Sequence, residues 1–299
     1  MQVTITDNQS SPETKTMSWH RIKKPHQCVC GKSDWCLVNH AATEYLCMRI
    51  VSNKVLCLSD GSIGYVHKAA GVAAPIQQQP REKPVTIDAE SMWLSAMKKT
   101  PASSRLALAD QLGLKYSALM EMGVAWGEWS ENKEGKTRHF SAWWWPMRDG
   151  HSRIVGLRAR DWNGNKWAVT GSRGGIFIPD CEWERELVVC EGATDCAALR
   201  QMNLFAIGRP AAQGALVEIK TFVSRAHVER VIIIADNDNP KPGRIDAGLS
   251  SAETLARNLP VPCAVVMLPC KDVREGVREC GLNYETLMAL TNTAVWRNP

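Results

Sequence analysis

The second half of the chain alternates short apolar runs with helical segments, and this alternation restricts the fold more than any other feature. The apolar runs lie at residues 187–190, 204–207, 231–235 and 264–268. Segments with helical spacing separate them. Strands that alternate with helices form parallel sheets that are buried on both faces. The sequence therefore predicts an α/β fold with a mainly parallel sheet over residues 181–299.

Acidic residues follow three of these predicted strands. Glu191 comes directly after the first strand, Asp236 and Asp238 follow the third as an Asp-x-Asp pair, and Asp272 follows the fourth. Functional groups in such sheets gather at the carboxyl ends of the strands. Mg²⁺ and Mn²⁺ prefer oxygen ligands, and Mg²⁺ is usually held by a few carboxylates together with substrate phosphates and water. We therefore predict a Mg²⁺ (or Mn²⁺) site formed by Glu191, Asp236 and Asp238.

Two residues beside Glu191 bear on this prediction. Gly192 lets the backbone turn sharply. Asp195 lies in the first turn of the next predicted helix, and we interpret it as forming a hydrogen bond within that turn. A single acid after a strand usually has such a capping role. Acids at three separate strand ends, one of them paired, favour a metal site instead.

A group of cysteines near the amino terminus indicates a second metal. Five of the eleven cysteines lie between residues 28 and 57. Zn²⁺ takes four thiolate or imidazole ligands in a tetrahedron, and a small module can depend on that binding for folding. We predict the ligands Cys28, Cys30, Cys36 and Cys47. The spacing Cys-x-Cys is one residue shorter than the usual knuckle, so other ligands stay open. These are His26, His40, Cys57 and His67.

Positive charge is concentrated in one segment, residues 133–173. It holds three acids and nine basic residues, namely Lys133, Lys136, Arg138, Arg148, Arg153, Arg158, Arg160, Lys166 and Arg173. Such a local excess suits a phosphate backbone or nucleoside triphosphates, and the alternative is a solvated strand face. The same segment contains the adjacent Trp143, Trp144 and Trp145, for which we weigh packing in the core against stacking on bases.

These motifs resemble a known domain. The order strand–Glu-Gly-x-x-Asp, strand–Asp-x-Asp and then MLPCKDVRE resembles the TOPRIM domain, which DnaG-type primases, topoisomerases and several nucleases share. MLPCKDVRE and LRARDWNGNKWAVTGSRGGIF are similar to the zinc-binding and primase half of phage primase–helicases. The resemblance covers residues 150–280 well and the cysteine segment more loosely. One departure is the long loop after Asp-x-Asp, where Gly243 or Gly248 takes the place of a closely following glycine.

The resemblance implies roles for individual residues. It makes Glu191, Asp236 and Asp238 the metal-binding catalytic carboxylates and Asp272 a supporting acid. Basic residues would hold the incoming nucleotide and the template, and Lys166 would also act in catalysis. The predicted nucleotide-binding and nucleic-acid-binding residues are Arg158, Arg160, Lys166, Arg173 and Lys271.

The resemblance also implies an organisation of the chain. We expect a disordered lead at residues 1–24, a zinc-ribbon-like β module at 25–68 and a linker at 69–86, which is rich in Ala, Gln and Pro. A basic α+β subdomain at 87–180 would precede the TOPRIM domain with its carboxy-terminal helices at 181–299.

The function that this resemblance implies is a DNA primase that makes short RNA primers from NTPs on single-stranded DNA in a phage or mobile element. The two GK[ST] sequences lack the upstream glycine of a P-loop, so we expect any helicase to be a separate protein. The polar lead has no signal-peptide core and no run approaches a membrane span, so we expect a cytoplasmic protein. The rival interpretations are a TOPRIM nuclease and a non-catalytic nucleic-acid-binding component of a replication or defence complex.

Overall fold

A computed structural model describes most of the 299 residues. The described residues are 2–3, 17–22, 26–31, 36–50, 52–57, 63–69, 86–133, 136–211, 215–237 and 247–299. They divide into two compact units, the first Met1–Glu82 with Asp238–Leu255 and the second Lys83–Asn237 with Ala256–Pro299. The predicted linker at residues 69–86 lies outside the described residues except at its two ends. No helix in the described part of the chain is long and apolar enough to cross a membrane.

The first unit contains an antiparallel sheet with the strand order β1-β2-β3-β4-β6-β5. Its strands are β1 (Gln2–Val3), β2 (Met17–Arg21), β3 (Leu37–Asn39), β4 (Glu44–Cys47), β5 (Val55–Cys57) and β6 (Ile63–Lys68). Side chains alternate between the two faces of a strand, and Leu37 and Val38 accordingly enter two different apolar clusters. The short antiparallel strands predicted for residues 25–68 are confirmed.

The predicted disordered lead at residues 1–24 is wrong where β2 lies. Met17–Arg21 pairs with β3, and the Trp19 side chain is fully buried against Leu37 and Leu46. A lone tryptophan in a polar stretch shows no periodicity, so its burial was not visible in the sequence. Burying one such side chain removes a large apolar area from water, and this stabilises the additional strand.

The second unit begins with three helices and an antiparallel sheet. The elements are α1 (Ala89–Lys99), α2 (Ala102–Leu112), α3 (Tyr116–Glu121), β7 (Ala125–Lys133), β8 (Lys136–Arg148), β9 (Ile154–Arg160) and β10 (Lys166–Ala168). Asp88 caps α1, and its carboxylate accepts a hydrogen bond from the Ser91 N–H at 3.0 Å. The strand order is β10-β9-β8-β7. Helix α1 covers one face of this sheet, where Ala96 packs in the same cluster as Trp144.

The rest of the chain forms a five-stranded sheet with the order β12-β11-β13-β14-β15. The elements are β11 (Glu186–Glu191), α4 (Ala193–Arg200), β12 (Ala206–Arg209), α5 (Leu216–Arg225), β13 (Arg230–Ala235), α6 (Ala247–Asn258), β14 (Cys263–Met267), α7 (Val273–Glu279), α8 (Tyr284–Thr293) and β15 (Trp296–Arg297). The first four strands are parallel and β15 is antiparallel. The predicted α/β class is confirmed, and the predicted elements differ from the observed ones by one or two residues at their ends.

The parallel sheet is buried on both faces, as the continuous apolar strands predict. Val188 and Ile232 pack in the core that contains α4, while the adjacent Val189 and Ile233 point to the other face and are also fully buried. The antiparallel sheet of the second unit contributes to the first of these cores through β8. The two sheets of this unit are therefore joined by one continuous apolar core.

Trp143, Trp144 and Trp145 all belong to the core. Their exposed fractions are 0%, 2% and 2%. Trp143 and Trp145 face the core shared with α4, whereas Trp144 faces α1. Buried indoles have no free face for a base, so the packing interpretation is correct and base stacking by these three residues is excluded.

Candidate functional site

The turn after β11 positions Glu191 at the carboxyl edge of the parallel sheet. Gly192 follows it with φ 93° and ψ 158°, a backbone conformation that is open essentially to glycine alone. The Gly192 N–H donates to the carbonyl oxygen of Arg209 at 2.7 Å. A Cβ at Gly208 would lie only 2.5 Å from the Gly192 carbonyl oxygen. Two glycines thus allow a close backbone approach that holds Glu191 in place.

Asp236 lies at the same edge as Glu191. It follows β13 directly, and β13 pairs in parallel with β11 through Val189 and Ile233. The loop after β13 is held by the segment before α7, because the Asn237 N–H donates to the Lys271 carbonyl oxygen at 2.8 Å. The structure therefore brings Glu191 and Asp236 to one edge, as predicted. Asp238 and Gly243 lie outside the described residues.

A buried arginine that was not predicted accompanies these two acids. Arg209 is the last residue of β12 and lies opposite Glu191 in the register of β12 with β11. Only 2% of its surface is exposed. Burial lowers its pKa, while the charges of Glu191 and Asp236 act in the opposite direction. The guanidinium therefore offsets part of the negative charge at this edge. The only sign of this arginine in the sequence is that Gly208 and Arg209 directly follow the predicted strand at residues 204–207.

Asp195 connects α4 to α7. The prediction of a hydrogen bond within its own helical turn is wrong. Its side chain is 4% exposed and accepts a hydrogen bond from the Arg274 N–H of α7 at 3.0 Å. Burial raises its pKa to about 7, and the nearby negative charge of Asp272 adds to this effect, while Lys166 and Arg274 oppose it. The first turn of α4 faces the protein interior, so the partner comes from a distant part of the chain.

Asp272 has a structural role as well as a position beside Asp195. It is the N-cap of α7, where its carboxylate accepts a hydrogen bond from the Glu275 N–H at 2.8 Å. Its negative charge acts on Asp195 and on Lys166. The capping interaction fixes the carboxylate at the rim of the site, consistent with a supporting acid.

The predicted basic residues Arg158, Arg160 and Lys166 share one face of the antiparallel sheet. Arg160 is opposite Lys166 on one side and opposite Trp143 on the other. Trp143 packs in the core shared with α4, so this face is the one turned toward the parallel sheet. Burial lowers the pKa of both arginines. The residues thus lie at the junction of the two sheets.

Arg160 and Lys166 are electrostatically linked to the acids. Lys166 is exposed to solvent but also surrounded by protein atoms, and this desolvation lowers its pKa. Arg160 and Arg274 lower it further, whereas Asp195 and Asp272 raise it. Three cations and two acids therefore act on each other within this site. Arg274 was not predicted, although it lies within the quoted segment MLPCKDVRE.

Arg173 and Lys271 lie at the surface. The Arg173 N–H donates to the Val155 carbonyl oxygen at 3.0 Å, which holds its segment along β9. Lys271 precedes the α7 cap, and its N–H donates to the Glu275 carboxylate at 2.7 Å. Both side chains are exposed. They remain predicted binding residues at the periphery.

The four predicted zinc ligands are gathered in the first unit. The Sγ atoms of Cys28, Cys30, Cys36 and Cys47 all lie within 4.8 Å of one another. The Cys30–Cys36 and Cys36–Cys47 Sγ distances are 3.6 and 3.9 Å. A tetrahedron with Zn–S bonds of about 2.3 Å has edges of about 3.8 Å, so the thiols are spaced for Zn²⁺.

Further contacts suit a thiolate at Cys47. The N–H groups of Arg49 and Ile50 donate to Cys47 Sγ at 3.4 and 3.3 Å. Hydrogen bonds from the thiols of Cys28 and Cys36 hold the pKa of Cys47 well below its usual range. The alternative ligand His67 instead has its Nε2 2.9 Å from the Ile50 carbonyl oxygen. Among the described residues, this is the one group of three or more potential ligands close enough for a single ion.

Comparisons with known proteins give the fold a name. No protein-family model matches the sequence, and no curated protein matches it. A solved DnaG catalytic core is similar, with a TM-score of 0.54, 17% identity, and coverage of 69% of this chain and 79% of that chain. The E. coli primase catalytic core has a TM-score of 0.53 and 16% identity, again with 69% and 79% coverage. This is the fold of the DnaG primase core.

A third similar structure includes a zinc binding domain. The Aquifex aeolicus primase, solved with its zinc binding and RNA polymerase domains, has a TM-score of 0.52 and 15% identity and covers 68% of this chain and 58% of that chain. Identities of this size establish the fold alone. The predicted resemblance to DnaG-type primases is confirmed at that level.

Proposed function

We propose that the protein is a DNA primase that synthesises short RNA primers on single-stranded DNA. The observation that carries this proposal is that a group of acids and a group of cations come together in a primase-core fold. The acids Glu191 and Asp236 lie at the carboxyl edge of the parallel sheet. The cations Arg160 and Lys166 lie where the antiparallel sheet meets it and act electrostatically on Asp195.

Glu191 and Asp236 are the residues proposed to hold Mg²⁺ or Mn²⁺, with Asp238 as a third ligand. Oxygen donors at a sheet edge suit these ions, which retain water and substrate phosphate as further ligands. When bound, the ions would supply neutralisation of phosphate charge and orientation of the triphosphate. Arg209 keeps the two carboxylates in place by offsetting their mutual repulsion.

The basic residues are proposed to bind phosphates. Arg158, Arg160 and Lys166 share one face of the sheet, so they present their charges on the same side of it. Asp195 is held by the backbone N–H of Arg274, and its charge acts on Arg160 and Lys166, which makes Asp195 a positioning residue for these two cations. Catalysis then depends mainly on orientation and on electrostatic stabilisation of the phosphoryl group.

The cysteine centre is proposed to bind Zn²⁺ and to help in recognition of the template. Its four thiols suit a structural tetrahedral site. In this proposal residues 25–68 form the zinc module, 69–86 the linker, 87–180 the basic subdomain and 181–299 the TOPRIM domain. NTPs and single-stranded DNA would be the substrates, and a separate helicase would be the partner.

A primer-synthesis assay tests the proposal. Single-stranded DNA, labelled NTPs and Mg²⁺ are incubated with the wild-type protein, with Asp236→Asn and with the control Asp110→Asn, whose carboxylate is exposed on α2. We expect oligoribonucleotides from the wild type and the control and a loss of at least about a hundredfold in Asp236→Asn. Equal products from both variants would remove Asp236 from the mechanism. DNA cleavage without NTPs would identify a nuclease instead.

A further inference from the structure

Trp162 lies in a hydrogen-bonded turn between β9 and β10, among the residues proposed to bind phosphates. The Asp161 carboxylate closes the turn by accepting hydrogen bonds from the Asn165 N–H at 2.8 Å and from its side-chain amide at 2.7 Å. Gly164 has φ 87°, a conformation that favours glycine. The Gln111 side chain donates to the Trp162 carbonyl oxygen at 2.6 Å. These hydrogen bonds therefore hold the backbone of Trp162 in place.

The Trp162 indole is both supported and accessible. Its ring meets the buried Trp143 edge to face, with centroids 5.5 Å apart and an interplanar angle of 84°. It also lies 6.0 Å from the ring of Trp126. Nevertheless 43% of the residue is exposed. The ring is therefore supported from one side while nearly half of the residue stays open to water.

Two basic residues flank the turn that carries this indole. Arg160 precedes the turn, and its Nη2 would lie 3.3 Å from a Cβ at Gly164, so the guanidinium lies over the turn. Lys166 follows the turn directly opposite Arg160. The one acid of the turn, Asp161, is occupied by its hydrogen bonds to Asn165. An exposed aromatic ring on a turn flanked by cations that suit phosphates matches the chemistry of a single nucleic-acid strand.

We propose that Trp162 stacks on a base of the single-stranded DNA template while Arg160 and Lys166 bind the adjacent phosphates. The inference rests on the proposed primase function and assigns this residue to the template rather than to the incoming nucleotide. The reacting triphosphate is proposed to lie at the carboxylate edge with Glu191 and Asp236, whereas Trp162 belongs to the β9–β10 turn of the antiparallel sheet. Only an unpaired base offers a free ring face for such stacking.

A second exposed tryptophan provides a matched control. Trp183 is 40% exposed, close to the value for Trp162. Its ring, however, is already covered by the guanidinium of Arg225 at 5.0 Å and contacts Phe222 edge to face at 5.3 Å. Replacement of Trp183 removes an exposed indole of similar size outside the β9–β10 turn.

Fluorescence anisotropy with a labelled oligo(dT), without NTPs or added divalent ions, tests the inference. We compare the wild type with Trp162→Ala, Trp162→Leu, Trp162→Phe and Trp183→Ala. Trp162→Leu keeps an apolar contact with Trp143 but removes the π face. We expect binding to weaken about tenfold in Trp162→Ala and Trp162→Leu, to weaken less than about threefold in Trp162→Phe, and to stay unchanged in Trp183→Ala. An abasic oligonucleotide should abolish the difference between the wild type and Trp162→Leu.

The possible outcomes separate this inference from the proposed function. If Trp162→Leu binds oligo(dT) as tightly as the wild type, the stacking inference is overturned and primer synthesis is untouched. If the variant instead raises the KM for NTPs and leaves DNA binding unchanged, the ring contacts the nucleotide and the inference is also wrong. If the wild type itself does not bind single-stranded DNA, both proposals fail.

Discussion

Replacement of Asp195 by asparagine should stabilise the folded protein at alkaline pH. The carboxyl group is buried near Asp272, and its pKa rises from an ordinary value of 3.8 to about 7. Each pKa unit corresponds to about 1.4 kcal/mol, so the ionised group destabilises the fold by about 4 kcal/mol at most above pH 7. Asparagine keeps an oxygen that can accept the Arg274 N–H but carries no charge.

The sign of the pH dependence follows from the raised pKa. Between pH 3.8 and 7 the folded state holds a proton on Asp195 that the unfolded state has lost, so the free energy of unfolding falls as the pH rises. Below this interval both states are protonated, and above it both are ionised. The advantage of Asp195→Asn should therefore be small at pH 4.5 and reach about 2–4 kcal/mol at pH 8.

Urea denaturation followed by tryptophan fluorescence, in magnesium-free buffer at pH 4.5, 6 and 8, measures this difference. Asp110→Asn removes an exposed carboxylate of α2 and should change the free energy of unfolding by less than about 0.5 kcal/mol at each pH. The assignment of a buried carboxyl group with a raised pKa would be refuted by either of two results. The free energies of unfolding of Asp195→Asn and the wild type could be equal at pH 8, or their difference could stay the same at all three pH values. We also expect the stabilised variant to lose primer synthesis, because Arg274 and Lys166 lose a charged neighbour.

Three further predictions concern other parts of the chain. Cys36→Ala should reduce the zinc content, measured by mass spectrometry. Cys181→Ala should retain it, because Cys36 belongs to the thiol cluster and Cys181 does not. Arg160→Gln should lower the slope of log Kd against log salt for single-stranded DNA by about 0.7, and an unchanged slope would mean that Arg160 contacts no phosphate. Gly192→Ala should destabilise the protein by about 1–3 kcal/mol in urea denaturation, since φ is 93°. Gly281→Ala, which has φ 68° and an open surrounding, should cost about 1 kcal/mol.

Much of the fold was predictable from local patterns. Continuous apolar strands indicate burial on both faces, and the alternation with helices indicates parallel pairing. Gly192 directly after a strand that ends in Glu191 marks a sharp turn, and the structure places the positive φ there. The four thiols predicted as zinc ligands also lie close together, as a tetrahedral site in a small module requires.

Local patterns were enough to predict the class of fold and the sheet edge that carries the acids, whereas several choices of ligand at the thiol centre stayed open until the structure was known. Only the tertiary structure showed that Asp195 meets Arg274 rather than its own helix, and that Trp143 is buried while Trp162 is exposed. The reason is physical. Periodicity along a strand or helix states which residues share a face, but burial, pKa and accessibility depend on which distant segment packs against that face.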